Sequence, residues 1–144
     1  MGNARKTVLR LLTRLENSGS YSNILLDEGL ERSELSPQDK KFAAALFYGV
    51  LERQITLDNI IREYSRNPKN KLGTEVRVIL RMGLYQLLYM DSVPDNASVD
   101  ESVKLAKKNR NPAASGFVNA MLREFIRNDK KLPKSRNATE ELSI

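Results

Sequence analysis

The chain has no cysteine, no histidine and no tryptophan among its 144 residues. Without cysteine there is no disulfide framework, no thiolate metal site and no cysteine nucleophile. Without histidine the commonest general base and zinc ligand is missing as well. Five prolines and seven glycines are too few for a strand-and-turn architecture or a flexible chain. No apolar run approaches the roughly 20 residues of a membrane-spanning helix, and no charged start followed by an apolar core reads as a signal peptide. Lys6 stands where a myristoylation signal needs Ser or Thr. The glycosylation patterns at Asn96 and Asn137 carry no weight without an export signal. The expectation is a cytoplasmic protein of one compact domain, not a membrane protein. Its work is binding rather than chemistry.

What is present is charge, unevenly distributed. Residues 1–14 hold four basic and no acidic side chains, and 15–65 hold five basic against nine acidic. Residues 66–81 hold five basic against one acidic, 82–103 hold four acidic alone, and 104–136 hold ten basic against two acidic. Segregation of this kind can bring distant segments together into a basic patch for an anionic partner. The competing reading is that lysine-rich helices are simply well solvated.

Helical periodicity runs through the chain and predicts an all-α fold of about seven helices. The first spans roughly Asn3 to Asn17, with Val8, Leu9, Leu11, Leu12 and Leu15 on one face. The second lies around Ser22 to Arg32. Ser36-Pro37 opens the third with a capping hydroxyl and a proline at the first helical position, and Thr56 reads as the cap of the fourth. Helix five, about Thr74 to Met90, is apolar almost all round and belongs at the centre of a bundle. Gly83 within it costs about 1 kcal/mol against Ala, which implies close approach of a neighbouring helix. Ser98 and Glu101 match a capping box and set the expected start of helix six. Helix seven runs from about residue 112 or 113 to Asn128. The break at Arg66–Gly73 predicts two separately packed halves, about 3–65 and 74–128. Residues 129–144 read as a linker.

Helix one offers the clearest candidate surface. At 100° per residue Lys6, Arg10 and Arg14 share one narrow stripe opposite the Val8, Leu12 and Leu15 face, with Arg5 at the edge of the apolar side. Cations one turn apart can follow a phosphate backbone, and arginine adds bidentate geometry for phosphate oxygens. A second basic set is Lys104, Lys107, Lys108 and Arg110. Arg123 and Arg127 form a third. Arg77 and Arg81 lie on the otherwise apolar central helix, so a structural role with acidic partners is expected. Tyr85 and Tyr89 fit the core better than base stacking. Asp100 and Glu101 point about 100° apart on a helix and do not make a catalytic carboxylate pair.

Three segments carry a family resemblance: Leu80-Arg81-Met82-Gly83-Leu84-Tyr85-Gln86-Leu87-Leu88-Tyr89, Ser98-Val99-Asp100-Glu101-Ser102-Val103-Lys104-Leu105-Ala106-Lys107, and Ser115-Gly116-Phe117-Val118-Asn119-Ala120-Met121-Leu122-Arg123. In this order and spacing the chain resembles the NusB-like family of helical RNA-binding domains over about residues 4 to 127. Softer matches lie at Ala4-Arg5, Asp39, Leu46-Phe47-Tyr48-Gly49-Val50-Leu51 and Leu57-Asp58. The resemblance implies a bundle of two antiparallel helical subdomains.

It is most similar to the N-terminal domain of the RsmB (Sun/Fmu) ribosomal RNA cytosine-C5 methyltransferases. Asp100, for instance, stands where free-standing NusB usually has Asn. That resemblance implies an RNA-binding accessory domain whose partners are ribosomal RNA and a catalytic methyltransferase domain in the same parent chain. The tail to Ile144 then resembles the linker into that domain. Paired cysteines and S-adenosylmethionine would belong to the catalytic domain, and no cofactor or metal to this chain. The alternative is a free-standing transcription antitermination factor that binds RNA together with a ribosomal protein. Under either reading the implied RNA-binding residues are Arg5, Lys6, Arg10, Arg14, Lys104, Lys107, Lys108, Arg110 and Arg123.

The absence of cysteine and of any strand-to-helix cofactor motif predicts no methyl transfer by this chain alone. Incubation with radiolabelled S-adenosylmethionine and unmodified ribosomal RNA should give no incorporation above a protein-free control.

Overall fold

The structure, a computed structural model, describes residues 2–19, 21–65, 72–108 and 112–133. Among them are seven α-helices and no strand: α1 (Gly2–Ser18), α2 (Ser22–Arg32), α3 (Pro37–Glu52), α4 (Gln54–Tyr64), α5 (Thr74–Tyr89), α6 (Asp95–Lys107) and α7 (Pro112–Arg127). No helix among the described residues is long and apolar enough to cross a membrane.

Among the starts of α2 to α6, only that of α3 carries a side-chain cap. Ser36 caps α3 by accepting a hydrogen bond from the Asp39 amide at 3.1 Å, with Pro37 in the first turn, as the sequence predicts. Two expected caps are corrected. Arg53 alone joins α3 to α4: its amide bonds the Gly49 carbonyl and its own carbonyl accepts from the Leu57 amide. Thr56 therefore lies inside α4 and is buried rather than capping it. Helix α6 starts at Asp95, a turn earlier than expected, behind an extended Pro94. Ser98 is fully buried in that helix, and its hydroxyl donates to the Gly83 carbonyl at 3.0 Å. A hydroxyl enclosed at a helix crossing gains more from a carbonyl there than from a cap in water.

That crossing is tight for a steric reason. A Cβ placed on Gly83 would lie 2.8 Å from the Ser102 hydroxyl and 3.0 Å from a Leu122 methyl. Gly83 on α5 and the two serines on α6 thus let the helices approach, with α7 behind them. The expected neighbour of Gly83 is found.

Helix α5 touches α1, α3 and α4 on one side and α6 and α7 on the other. The buried apolar side chains form one continuous cluster from Ala4 to Phe125. The helices before and after the break at 66–73 share α5 as a common wall. Residues 66–71 of that break lie outside the described residues.

Two basic side chains of α5 meet acids from other helices. Arg81, buried among apolar neighbours, gives Asp58 of α4 two hydrogen bonds of 2.7 and 3.0 Å, and gives Glu16 of α1 a third of 2.8 Å. Arg77 reaches the other oxygen of Glu16 at 3.0 Å. The structural role expected for this pair is what the contacts show. Burial lowers the tendency of the Arg81 guanidinium to stay charged, but the bonds and charges of Asp58 and Glu16 outweigh it and raise its pKa. Burial likewise pushes the Glu16 carboxyl up, and Arg81 with Arg77 together hold it below the ordinary glutamate value.

The expected linker does not begin at residue 129. Asp129 and Lys130 both adopt positive φ, 58° and 55°. The Lys130 amide bonds the Phe125 carbonyl and the Asp129 amide bonds that of Ile126, a Schellman ending built without glycine. The Lys130 ammonium then donates to the Leu87 carbonyl at 3.1 Å and to Asp95 at 2.8 Å, and Leu132 packs on the core. Residues 134–144 lie outside the described residues.

Two outcomes follow. Gly83→Ala gains about 1 kcal/mol of helix propensity but overpacks a closed crossing at a cost of about 1–3 kcal/mol. The variant should melt below the parent, as read by circular dichroism. Arg81→Ala strands Asp58, leaves Glu16 only Arg77, and should cost about 3 kcal/mol in urea unfolding at pH 7. Because the folded pKa of Glu16 is depressed, its contribution is present at neutral pH and fades as pH falls below about 4.3. Arg81→Ala should therefore lose less stability between pH 5 and 3 than the parent does.

Candidate nucleic-acid interface

Helix α1 is covered on several sides, by α2, α3, α5 and α6. Its buried face is consequently wide: Ala4, Arg5, Val8, Leu9, Leu11 and Leu12 are all out of solvent. Lys6, Arg10 and Arg14 are exposed along one line of the helix, and Asn3, Glu16, Asn17 and Ser18 are exposed as well. Lys6 to Arg14 is eight residues, or about 12 Å along the axis. Among the described residues, no salt bridge engages these three cations.

Arg5 leaves the predicted set. It is only 4% exposed, its Nε donates to Gln86 at 2.8 Å, and its guanidinium lies 5.0 Å from the Phe42 ring centre. Gln86 in turn donates to the Met82 carbonyl. Burial lowers the Arg5 pKa and the charge of Glu101 opposes that. A position at the edge of an apolar stripe is covered when neighbours pack on more than one side of a helix, and here α3 and α5 both reach it.

The structure brings Lys6 to the second basic set. Asn3 and Lys6 of α1 and Glu101, Lys104 and Lys108 of α6 line one small cleft. Lys104 pairs with Glu101 at 3.7 Å. Contact with Lys6, then partial desolvation, lowers the pKa of the exposed Lys108 ammonium. Glu101 is thus a counter-charge within the cationic cluster and not a helix cap, which the Ser98-x-x-Glu101 spacing concealed. Lys107 is exposed in the last turn of α6. Cations there also complement the helix dipole.

Arg123 stands apart on α7. Its Nε donates to Asn119 at 2.8 Å and a terminal nitrogen lies 3.8 Å from Asp100, so it helps hold α7 to α6. Arg110 lies outside the described residues. Tyr85 and Tyr89 lean on each other, with ring centres 5.1 Å apart. Arg53 sits over the Tyr89 ring, and the Tyr85 ring occupies the space where a Cβ on Gly49 would fall. Both tyrosines are part of the packing between α3 and α5.

A second groove runs along the other side of the cationic line. It is lined by Lys6, Leu9, Arg10, Thr13, Arg14, Asn17, Ser18 and Glu75. The Thr13 hydroxyl is enclosed there, with no hydrogen-bond partner among the described residues. Glu75, exposed in the first turn of α5, was not among the predicted residues. The signal for it in the sequence is its isolation as the one acid between residues 66 and 81.

Comparison with known proteins agrees with this architecture. Residues 2–127 match the NusB family. The chain is 39% identical over 127 residues to a probable ribosomal RNA small subunit methyltransferase B of Synechocystis, and 35% identical over 123 residues to its namesake in Bacillus subtilis. These alignments cover 88% and 85% of this chain but only 28% and 27% of those relatives, so the chain spans little more than a quarter of their length. It is also 34% identical over 138 residues to the transcription antitermination protein NusB of Ruminiclostridium cellulolyticum, covering 95% of this chain and 94% of that one. Among solved structures, T. maritima NusB superposes with a TM-score of 0.81 at 23% identity, covering 99% of this chain and 96% of that one. NusB in a complex of antitermination factors NusB and NusE with double-stranded RNA superposes with a TM-score of 0.79 at 24% identity, covering 88% and 96%. The seven-helix bundle and the match over almost all of its length establish that this chain belongs to the NusB family.

Proposed function

We propose that the chain binds RNA along the exposed line of α1 and acts as the RNA-holding accessory domain of a cytoplasmic small-subunit ribosomal RNA (cytosine-C5) methyltransferase. The observation that carries the RNA reading is the unpaired line Lys6, Arg10 and Arg14, joined at one end by Lys104 and Lys108. Its turn-by-turn spacing offers successive phosphates a cation each, while the hydrophobic side of the same helix is locked into the core. Relatives named as ribosomal RNA methyltransferases, at 39% and 35% identity, support the finer reading. In such an enzyme the reactive thiols and the S-adenosylmethionine site would have to lie outside this chain, which has no cysteine. The domain would supply affinity and position the ribosomal RNA for its catalytic partner.

A second reading is supported by the Ruminiclostridium antitermination protein, which matches over nearly the whole of both chains. Under that reading RNA affinity rises when a small ribosomal protein is added. Under the first it does not.

Phosphate contacts release counterions, so affinity for single-stranded ribosomal RNA should fall with salt, with a log–log slope of about −0.7 per contact. Replacing Lys6, Arg10 and Arg14 together by Ala should weaken binding across sequences and flatten that slope by about two units. Folding should survive, because exposed substitutions of this kind cost within about 0.5 kcal/mol each. Fluorescence anisotropy over a salt series provides the check. A folded triple variant with unchanged affinity and slope would leave α1 as a solvated face only.

A further inference from the structure

A carboxylate in a groove whose other charged residues are all cations is electrostatically out of place. Glu75 lines the α1–α5 groove together with Lys6, Arg10 and Arg14, yet among the described residues it forms no salt bridge with any of them. Other cations of the bundle that have an acid within reach are paired: Arg77, Arg81, Lys104, Arg123 and Lys130. The groove is an open space of about 530 Å³. Leu9 and Thr13, one turn apart, line it; Leu9 is almost wholly buried, and the Thr13 hydroxyl is enclosed with no partner among the described residues.

We propose that this groove is a guanine slot: an unstacked guanine base of single-stranded RNA lies against Leu9 and Thr13 and presents its Watson–Crick edge to Glu75. The inference rests on the RNA-binding reading above and adds base selectivity to it. The charge pattern sorts the nucleotide's parts. Arg10 and Arg14 attract phosphate, and their planar guanidiniums can stack on a base. Glu75 repels phosphate and accepts only from donors. Among the four bases only guanine offers two neighbouring donors on one edge, N1–H and the 2-amino group, to match the two carboxylate oxygens. Cytosine and adenine each set an acceptor nitrogen beside their amine. Uracil flanks its single N3–H with two carbonyls. For these three bases the second carboxylate oxygen would face a lone pair.

The test uses the full chain and seven-residue oligoribonucleotides made of uridine, with guanosine, inosine, adenosine or cytidine at the central position. Binding is read by fluorescence anisotropy at low salt. The parent protein should prefer the guanosine oligomer to all-uridine by about tenfold, the scale of one good bidentate contact. Inosine, which lacks the 2-amino group, should fall between. Glu75→Gln replaces one acceptor by a donor and should bring the guanosine-to-uridine ratio close to one, with circular dichroism confirming the fold. Salt-sensitive binding of all oligomers with no guanosine preference overturns the slot and leaves the RNA reading standing. A preference that Glu75→Gln does not change, or one for adenosine or cytidine, overturns it equally. If no oligomer binds, the slot and the RNA reading fail together.

Discussion

Seven consecutive residues of α5, Val78 to Leu84, are out of solvent, and that requirement organises the molecule. A helix with no wet face must be enclosed, and five of the other six helices contact it. Each fully buried Leu, Ile, Val or Met side chain contributes about 1.5–3 kcal/mol, so the enclosure is strongly driven. It also makes unsatisfied polar groups costly. The two long polar side chains buried on α5, Arg81 and Gln86, are therefore fixed points: each demands a partner from elsewhere in the chain, and each obtains one from α1 or α4.

The composition of the open face of α1 follows from those demands. Gln86 takes Arg5, and Arg81 takes Glu16 and Asp58, so one cation of α1 is buried and its one acid is held by arginines of α5. The side chains left on the open side are Lys6, Arg10 and Arg14. On this side Lys6, Arg10 and Arg14 meet no acid of α1, because Glu16 is engaged by Arg77 and Arg81. The same logic brings Lys104 and Lys108 beside Lys6: the α5–α6 crossing at Gly83, Ser98 and Ser102 fixes where α6 lies, and α1 packs on both helices. A methyl group at Gly83 would act on the surface cluster through that crossing.

Parts of this were legible from the residues alone. The number and extent of the helices followed from apolar spacing, which depends only on the period of 3.6 residues. The Ser36-Pro37 start is a local event and was read correctly. The central place of α5, the acidic partners of Arg77 and Arg81, and the close neighbour of Gly83 were all implied by side chains too costly to leave as they stood. The two caps misread at Thr56 and Ser98 show the limit of local pattern. Both hydroxyls can cap a helix, but tertiary packing placed each inside one. Asp129 and Lys130 carried no helix-ending glycine, and only the contacts of Lys130 with Leu87 and Asp95 offset their positive φ.

For the candidate site, the sequence alone determined the stripe Lys6, Arg10 and Arg14, because a helix repeats its faces whatever it packs against. It determined too that this chain supplies no thiol or imidazole to any reaction. The tertiary structure decided the rest. It buried Arg5, which helical spacing left at the edge of the apolar face, and brought Lys6 beside Lys104 and Lys108 from the far half of the chain. It turned Glu101 from a cap into a counter-charge and set Glu75 at the edge of the cationic groove. These are distances between helices, and the period of one helix holds no information about what lies across from it.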